Sequence, residues 1–121
     1  MAFQFIERTA FVELRLFGDV SGVTEPPDEW LRKIADFRRL LIDASEVSAI
    51  TADVLWMAGV VNKAHGAGPF WTAVFAPSDL VFGVLRQVSA YRADPSPTVD
   101  FFRERDAAEE WLLSREDFPA A

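Results

Sequence analysis

A chain of 121 residues, 50% of them hydrophobic, holds enough apolar material for one compact core, and its lack of cysteine rules out disulfides, thiolate metal sites and a cysteine nucleophile. A single histidine, His65, excludes zinc sites built on His and Cys and any two-histidine motif. The formal charge of −7, with Lys and Arg scattered, argues against nucleic acid as a partner, because a phosphate backbone is held by clustered cations.

Glu7 and Arg8 interrupt the first apolar residues, which lack the basic flank and long run of a secretion signal. No later uncharged stretch is long enough to be a transmembrane segment, so a soluble cytoplasmic protein is expected. Phe3 to Ile6 and Phe11 to Phe17 read as two strands forming a hairpin. The second alternates, with Val12, Leu14 and Leu16 on one face and Phe11, Glu13, Arg15 and Phe17 on the other, wetter one. Gly18 and Gly22 break the pattern. Pro26-Pro27-Asp28-Glu29 then starts a helix with Trp30, Leu31 and Ile34 on its inner face.

Leu40 to Ile42 are apolar without alternation, as in a central strand covered on both faces, and Asp43 is expected to end it. A helix from about Ala52 to His65 follows, with Val54, Met57, Ala58 and Val61 on one stripe and Gly66-Ala67-Gly68-Pro69 closing it. Phe70 to Ala76 forms a second central strand, and Pro77-Ser78-Asp79 launches a helix with the stripe Val81, Val84, Leu85 and Val88. After the turn residues Ala93 to Pro97, a last strand from Thr98 to Phe102 precedes a helix from Arg105 to Arg115, packed through Ala108, Trp111 and Leu112. Residues 117–121 are expected to fray. The order predicts one α/β domain: an N-terminal β-hairpin leading into a mixed, mainly parallel sheet of about five strands with about four helices.

With Leu41-Ile-Asp-Ala-Ser-Glu-Val-Ser-Ala-Ile-Thr51 at its centre, that order resembles the STAS superfamily, whose fold (SpoIIAA-like) is that of bacterial anti-sigma-factor antagonists. Ala76-Pro-Ser-Asp-Leu-Val-Phe-Gly83 and Phe102-Arg-Glu-Arg-Asp-Ala-Ala-Glu-Glu-Trp-Leu112 are similar to the uncharacterised STAS/SEC14-like branch. In the switchable members, a strand ending in Asp runs into Ser-x-Val and then Asp-Ser-Ser-Gly, whose second serine is phosphorylated. Asp43, Ser45 and Val47 match the first part. The second part reads Thr51-Ala52-Asp53-Val54, which puts Asp53 at the phosphoacceptor position and removes the switch serine. The resemblance thus implies a regulatory, non-enzymatic module without the usual switch.

Asp53 reads on its own terms as a helix N-terminal acid worth about 0.3–1 kcal/mol against the dipole, or as a fixed charge partly imitating a phosphate. Thr51 reads as an N-cap, and Ser45 and Ser48 as loop hydrogen-bonders, with phosphorylation as the alternative role for all three. His65, Ser45 and Asp43 form no nucleophile-elbow motif, and Asp43, Glu46 and Asp53 lack calcium-loop spacing, so no catalytic residue, metal or cofactor is expected.

An apolar surplus stands out instead. Trp56 and Val60 lie opposite the stripe of their helix, and Leu80 and Phe82 flank the stripe of the next. Either neighbouring elements cover this surplus, or it forms a patch that binds a protein partner or a second copy in a homodimer, or a groove for a lipid or other small apolar ligand between the helices starting near Ala52 and Ser78. The candidate binding residues are therefore Asp43, Ser45, Thr51, Asp53, Trp56, Val60, Leu80 and Phe82.

Overall fold

Alternation and apolar runs become five strands of one sheet in the computed structural model, which describes residues 2–20, 27–50, 70–90 and 99–116. The elements are β1 (Ala2–Glu7), β2 (Val12–Val20), α1 (Asp28–Phe37), β3 (Arg39–Ile50), β4 (Trp71–Phe75), α2 (Asp79–Ala90), β5 (Val99–Phe102) and α3 (Arg105–Ser114). The strands lie in sequence order, with β1 antiparallel to β2 and every later pair parallel. The hairpin and the mainly parallel sheet stand as expected. Three helices fall among the described residues, and the helix expected from Ala52 to His65 lies outside them, as do the final residues 117–121.

Strand periodicity sorts the core into two layers. On one face Val12, Leu40 and Phe70 pack with Ile34 of α1, and Trp30 stacks on Phe5 with ring centroids 5.1 Å apart. On the same face α2 lays Val81 against Ala44 and Ala76. The opposite face holds Phe11, Leu41 and Ala73 under Ala108 and Leu112 of α3. Trp111 closes that layer, edge to face with Trp71 and tilted against Phe102.

Helix ends are tied to the sheet. α1 stops at Arg38, whose left-handed backbone (φ 59°) lets its N–H donate to the Ile34 carbonyl at 2.8 Å. The next residue, Arg39, donates to the carbonyls of Leu112 (3.2 Å) and Arg115 (2.5 Å), placing a cation at the negative end of α3.

The expectation that Asp43 ends its strand is corrected: β3 continues to Ile50. β4 supports it only from Arg39 to Asp43, but β2 runs on to Val20 and pairs it as far as Ile50. Two register shifts, at Arg15/Phe17 and Gly18/Asp19, keep that pairing going, and Gly18 supplies the positive φ of 71° at the second. Ser45, Glu46 and Ser48 are exposed along this extension, while Ala44 is buried. Local polarity read as a loop; pairing made it a strand.

Candidate functional site

Parallel strands present their carboxyl ends together, and there the register sets Arg15, Asp43, Phe75 and Phe102 side by side across β2, β3, β4 and β5. α3 opens three residues after Phe102, so Arg105 hangs over this row. Glu13, one strand repeat before Arg15, points to the same face.

The wetter face expected for β2 is not wet at Glu13, whose side chain is 0% exposed. Arg105 grips it with a two-pronged contact, Nη2 donating to Oε1 at 2.5 Å and Nη1 to Oε2 at 3.1 Å. Arg15 Nε donates to Oε2 at 2.6 Å and Arg8 Nε to Oε1 at 3.2 Å. Burial alone would push the Glu13 pKa upward, but the hydrogen bonds from Arg105, Arg15 and Arg8 overcome it and hold the carboxyl at about 2. The Arg105 pKa is raised in turn, chiefly by its hydrogen bond to Glu13 and against its own desolvation.

Arg105 carries the network across to β3. Its Nη1 also donates to Asp43 Oδ2 at 2.8 Å, and its Nη2 lies 3.5 Å from Glu109 one turn along α3. The other Asp43 oxygen accepts from the Ser45 backbone N–H at 2.9 Å and from the Ser45 hydroxyl at 2.6 Å. One arginine thereby ties α3 to both β2 and the start of the β3 extension. A hollow of about 300 Å³ opens beside it, with Arg15, Asp43, Ser45, Glu46 and Arg105 among its lining.

Of the residues expected at the site, Asp43 and Ser45 come together as this hydrogen-bonded pair. Leu80 and Phe82 sit on α2, and they differ. Leu80 is 65% exposed. Phe82 is half-buried against the Ala44, Ala76 and Val81 cluster, which Val47 and Ile50 of the β3 extension also join. Its ring meets Phe101 edge to face at 5.9 Å and is capped by the Arg103 guanidinium 4.1 Å from the centroid, while Arg103 pairs with Asp79. Thr51, Asp53, Trp56 and Val60 lie outside the described residues.

Sequence reading missed Glu13, Arg8, Arg15 and Arg105. The available signal was Glu13 and Arg15 alternating between Phe11 and Phe17 on one strand face, a place where charge survives only if paired. With its only buried Glu locked to three guanidinium groups and ionised down to about pH 2, the cluster lacks a ready proton acceptor at Glu13 and instead fixes the position of β3.

Sheet order and helix placement decide the comparison with known folds. A protein of the DUF3478 family from Shewanella loihica, described as having a SpoIIAA-like fold, superposes with a TM-score of 0.54 over 92% of each chain at 14% identity. The anti-sigma factor antagonist SpoIIAA in its unphosphorylated form matches with a TM-score of 0.54 over 96% of this chain and 100% of its own, at 16% identity. The fold is SpoIIAA-like. This is the fold implied by the resemblance to the STAS superfamily. No family model matches the sequence, and no curated protein matches it. Among the described residues no helix is long and apolar enough to cross a membrane.

Proposed function

We propose that this SpoIIAA-like chain is a non-enzymatic, regulatory interaction module that docks a protein partner on the surface formed by the β3 extension and the start of α2. The observation that carries the reading is the Arg105 bridge, which braces Asp43 and, through it, Ser45 at the root of an exposed strand. A surface held in place before binding loses little conformational entropy on association. Leu80 offers an exposed apolar contact on α2, the helix whose Val81 packs on Ala44 of this strand together with Val47, Ile50 and Phe82. In this reading Thr51, Asp53, Trp56 and Val60 stay candidate binding residues on sequence grounds alone, with Asp53 as a permanent charge in place of a switch serine.

A photo-crosslinking side chain placed at Ser48 tests the proposal, with one at Glu110 on the exposed side of α3 as the control. A discrete heterologous adduct from Ser48, absent from Glu110 and abolished by Leu80→Asp, supports the surface. Equal adducts from both positions, or an adduct indifferent to Leu80→Asp, would remove it.

A further inference from the structure

The two edges of the sheet are treated differently. β5 is only four residues long, and the Phe101 N–H turns to the Asp100 side chain at 2.8 Å, so this edge satisfies one of its own donors. Among the described residues β1 carries little of the usual edge protection: it is six residues long, uncharged until Glu7 at its end, without proline and paired to β2 in unbroken register.

Hydrogen-bond parity says which groups that edge presents. The Arg8 N–H donates to the Phe11 carbonyl at 2.9 Å, so Arg8 and Phe11 are a hydrogen-bonded pair of the hairpin. Such pairs alternate along an antiparallel ladder, which assigns the inward bonds of β1 to Ile6, Gln4 and Ala2. The N–H and C=O groups of Phe3, Phe5 and Glu7 therefore point away from β2. Among the described residues, no strand lies beyond them.

We propose that this edge pairs with β1 of a second copy, antiparallel about a two-fold axis through Phe5, joining two sheets into one of ten strands. The outward set is self-complementary: Phe5 faces Phe5 of the second copy on the axis, and Phe3 faces Glu7 at either end. The two Glu7 carboxylates then lie at opposite ends of the paired strands, so like charges do not meet. A two-fold axis normal to the sheet keeps faces matched. The Phe3 ring, 37% exposed and 6.1 Å edge to face from Trp30, comes to lie beside the same cluster of the second copy. Six residues per copy make a small interface, so the dimer exchanges with monomer rather than being obligate. This surface is separate from the β3 and α2 surface above, and each can fail alone.

Sedimentation over a concentration series, with amide hydrogen exchange on the same samples, tests the pairing. The expected result is a monomer–dimer equilibrium in which the amides of Phe3, Phe5 and Glu7 gain protection as concentration rises, while those of Gln4 and Ile6 are protected throughout. Phe3→Pro removes an outward N–H without breaking a bond to β2 and is expected to weaken dimerisation at least about tenfold, the loss of roughly 1.4 kcal/mol. A chain that stays monomeric at its highest soluble concentration overturns the proposal. So does a dimer whose exchange pattern at Phe3, Phe5 and Glu7 does not change, a result readable on the unmodified chain even if Phe3→Pro fails to fold.

Discussion

Replacing Glu13 with Gln keeps the shape of the side chain and removes its charge, leaving Arg105, Arg15 and Arg8 around a neutral amide. A carboxyl lowered from an ordinary 4.5 to about 2 on folding adds about 3 kcal/mol to stability at neutral pH, at roughly 1.4 kcal/mol per pH unit. Removing one partner of a buried ion pair costs about 3–5 kcal/mol in general. The arginines here are 25% to 40% exposed and can turn toward water, which keeps the expected loss near the lower figure.

The sign of the pH dependence follows from the direction of the shift. Because the folded pKa lies below the unfolded one, the contribution is complete above pH 4.5 and is lost as pH falls toward 2. Urea unfolding of the wild type and Glu13→Gln at pH 7 and pH 3 measures it. The gap of about 3 kcal/mol at pH 7 should shrink to about 1.4 kcal/mol at pH 3. With a urea slope of roughly 1.5 kcal/mol/M, the midpoint of the variant drops by about 2 M at pH 7. A gap below about 0.5 kcal/mol at pH 7, or one unchanged at pH 3, would refute the view that the ionised carboxylate holds α3 to the sheet.

Two further changes probe the core on each face. Thr72 in β4 is 4% exposed, and its hydroxyl finds no hydrogen-bond partner among the described residues, so Thr72→Val should raise stability by about 1 kcal/mol and the midpoint of thermal unfolding by about 4 °C; a lower midpoint would mean that the hydroxyl is satisfied in solution. Leu112 of α3 is 0% exposed in the layer with Leu41 and Ala108, and Leu112→Ala should cost about 2–5 kcal/mol in urea unfolding at pH 7.

The strands and the flanking helices could be read from the chain because their signals are local. Alternation at Val12, Leu14 and Leu16, unbroken apolar runs at Leu40 to Ile42 and Phe70 to Ala76, and proline with acids before α1 each act within a few residues. The hydrogen-bonding role read for Ser45 was equally local, though its partner, the Asp43 side chain two residues back, was not named by the sequence. Glu13 was not legible, because whether a strand face is wet depends on what later covers it. Its partner Arg105 arrives 92 residues downstream. Nor did anything near Asp43 show that β3 would continue. That required β2 to outrun β4 and to absorb two register shifts.

The sequence alone thus determined an α/β sheet with its hairpin, the order of its five strands and three described helices, and the absence of a serine at the position that Asp53 occupies, since periodicity and residue identity are properties of the chain itself. Tertiary structure decided which charges are buried, where β3 ends, and which strands stand at the edges of the sheet. Those depend on distant segments meeting: a buried carboxylate is tolerable only where guanidinium groups from elsewhere in the chain converge on it, and an edge is an edge only once the strand order is known.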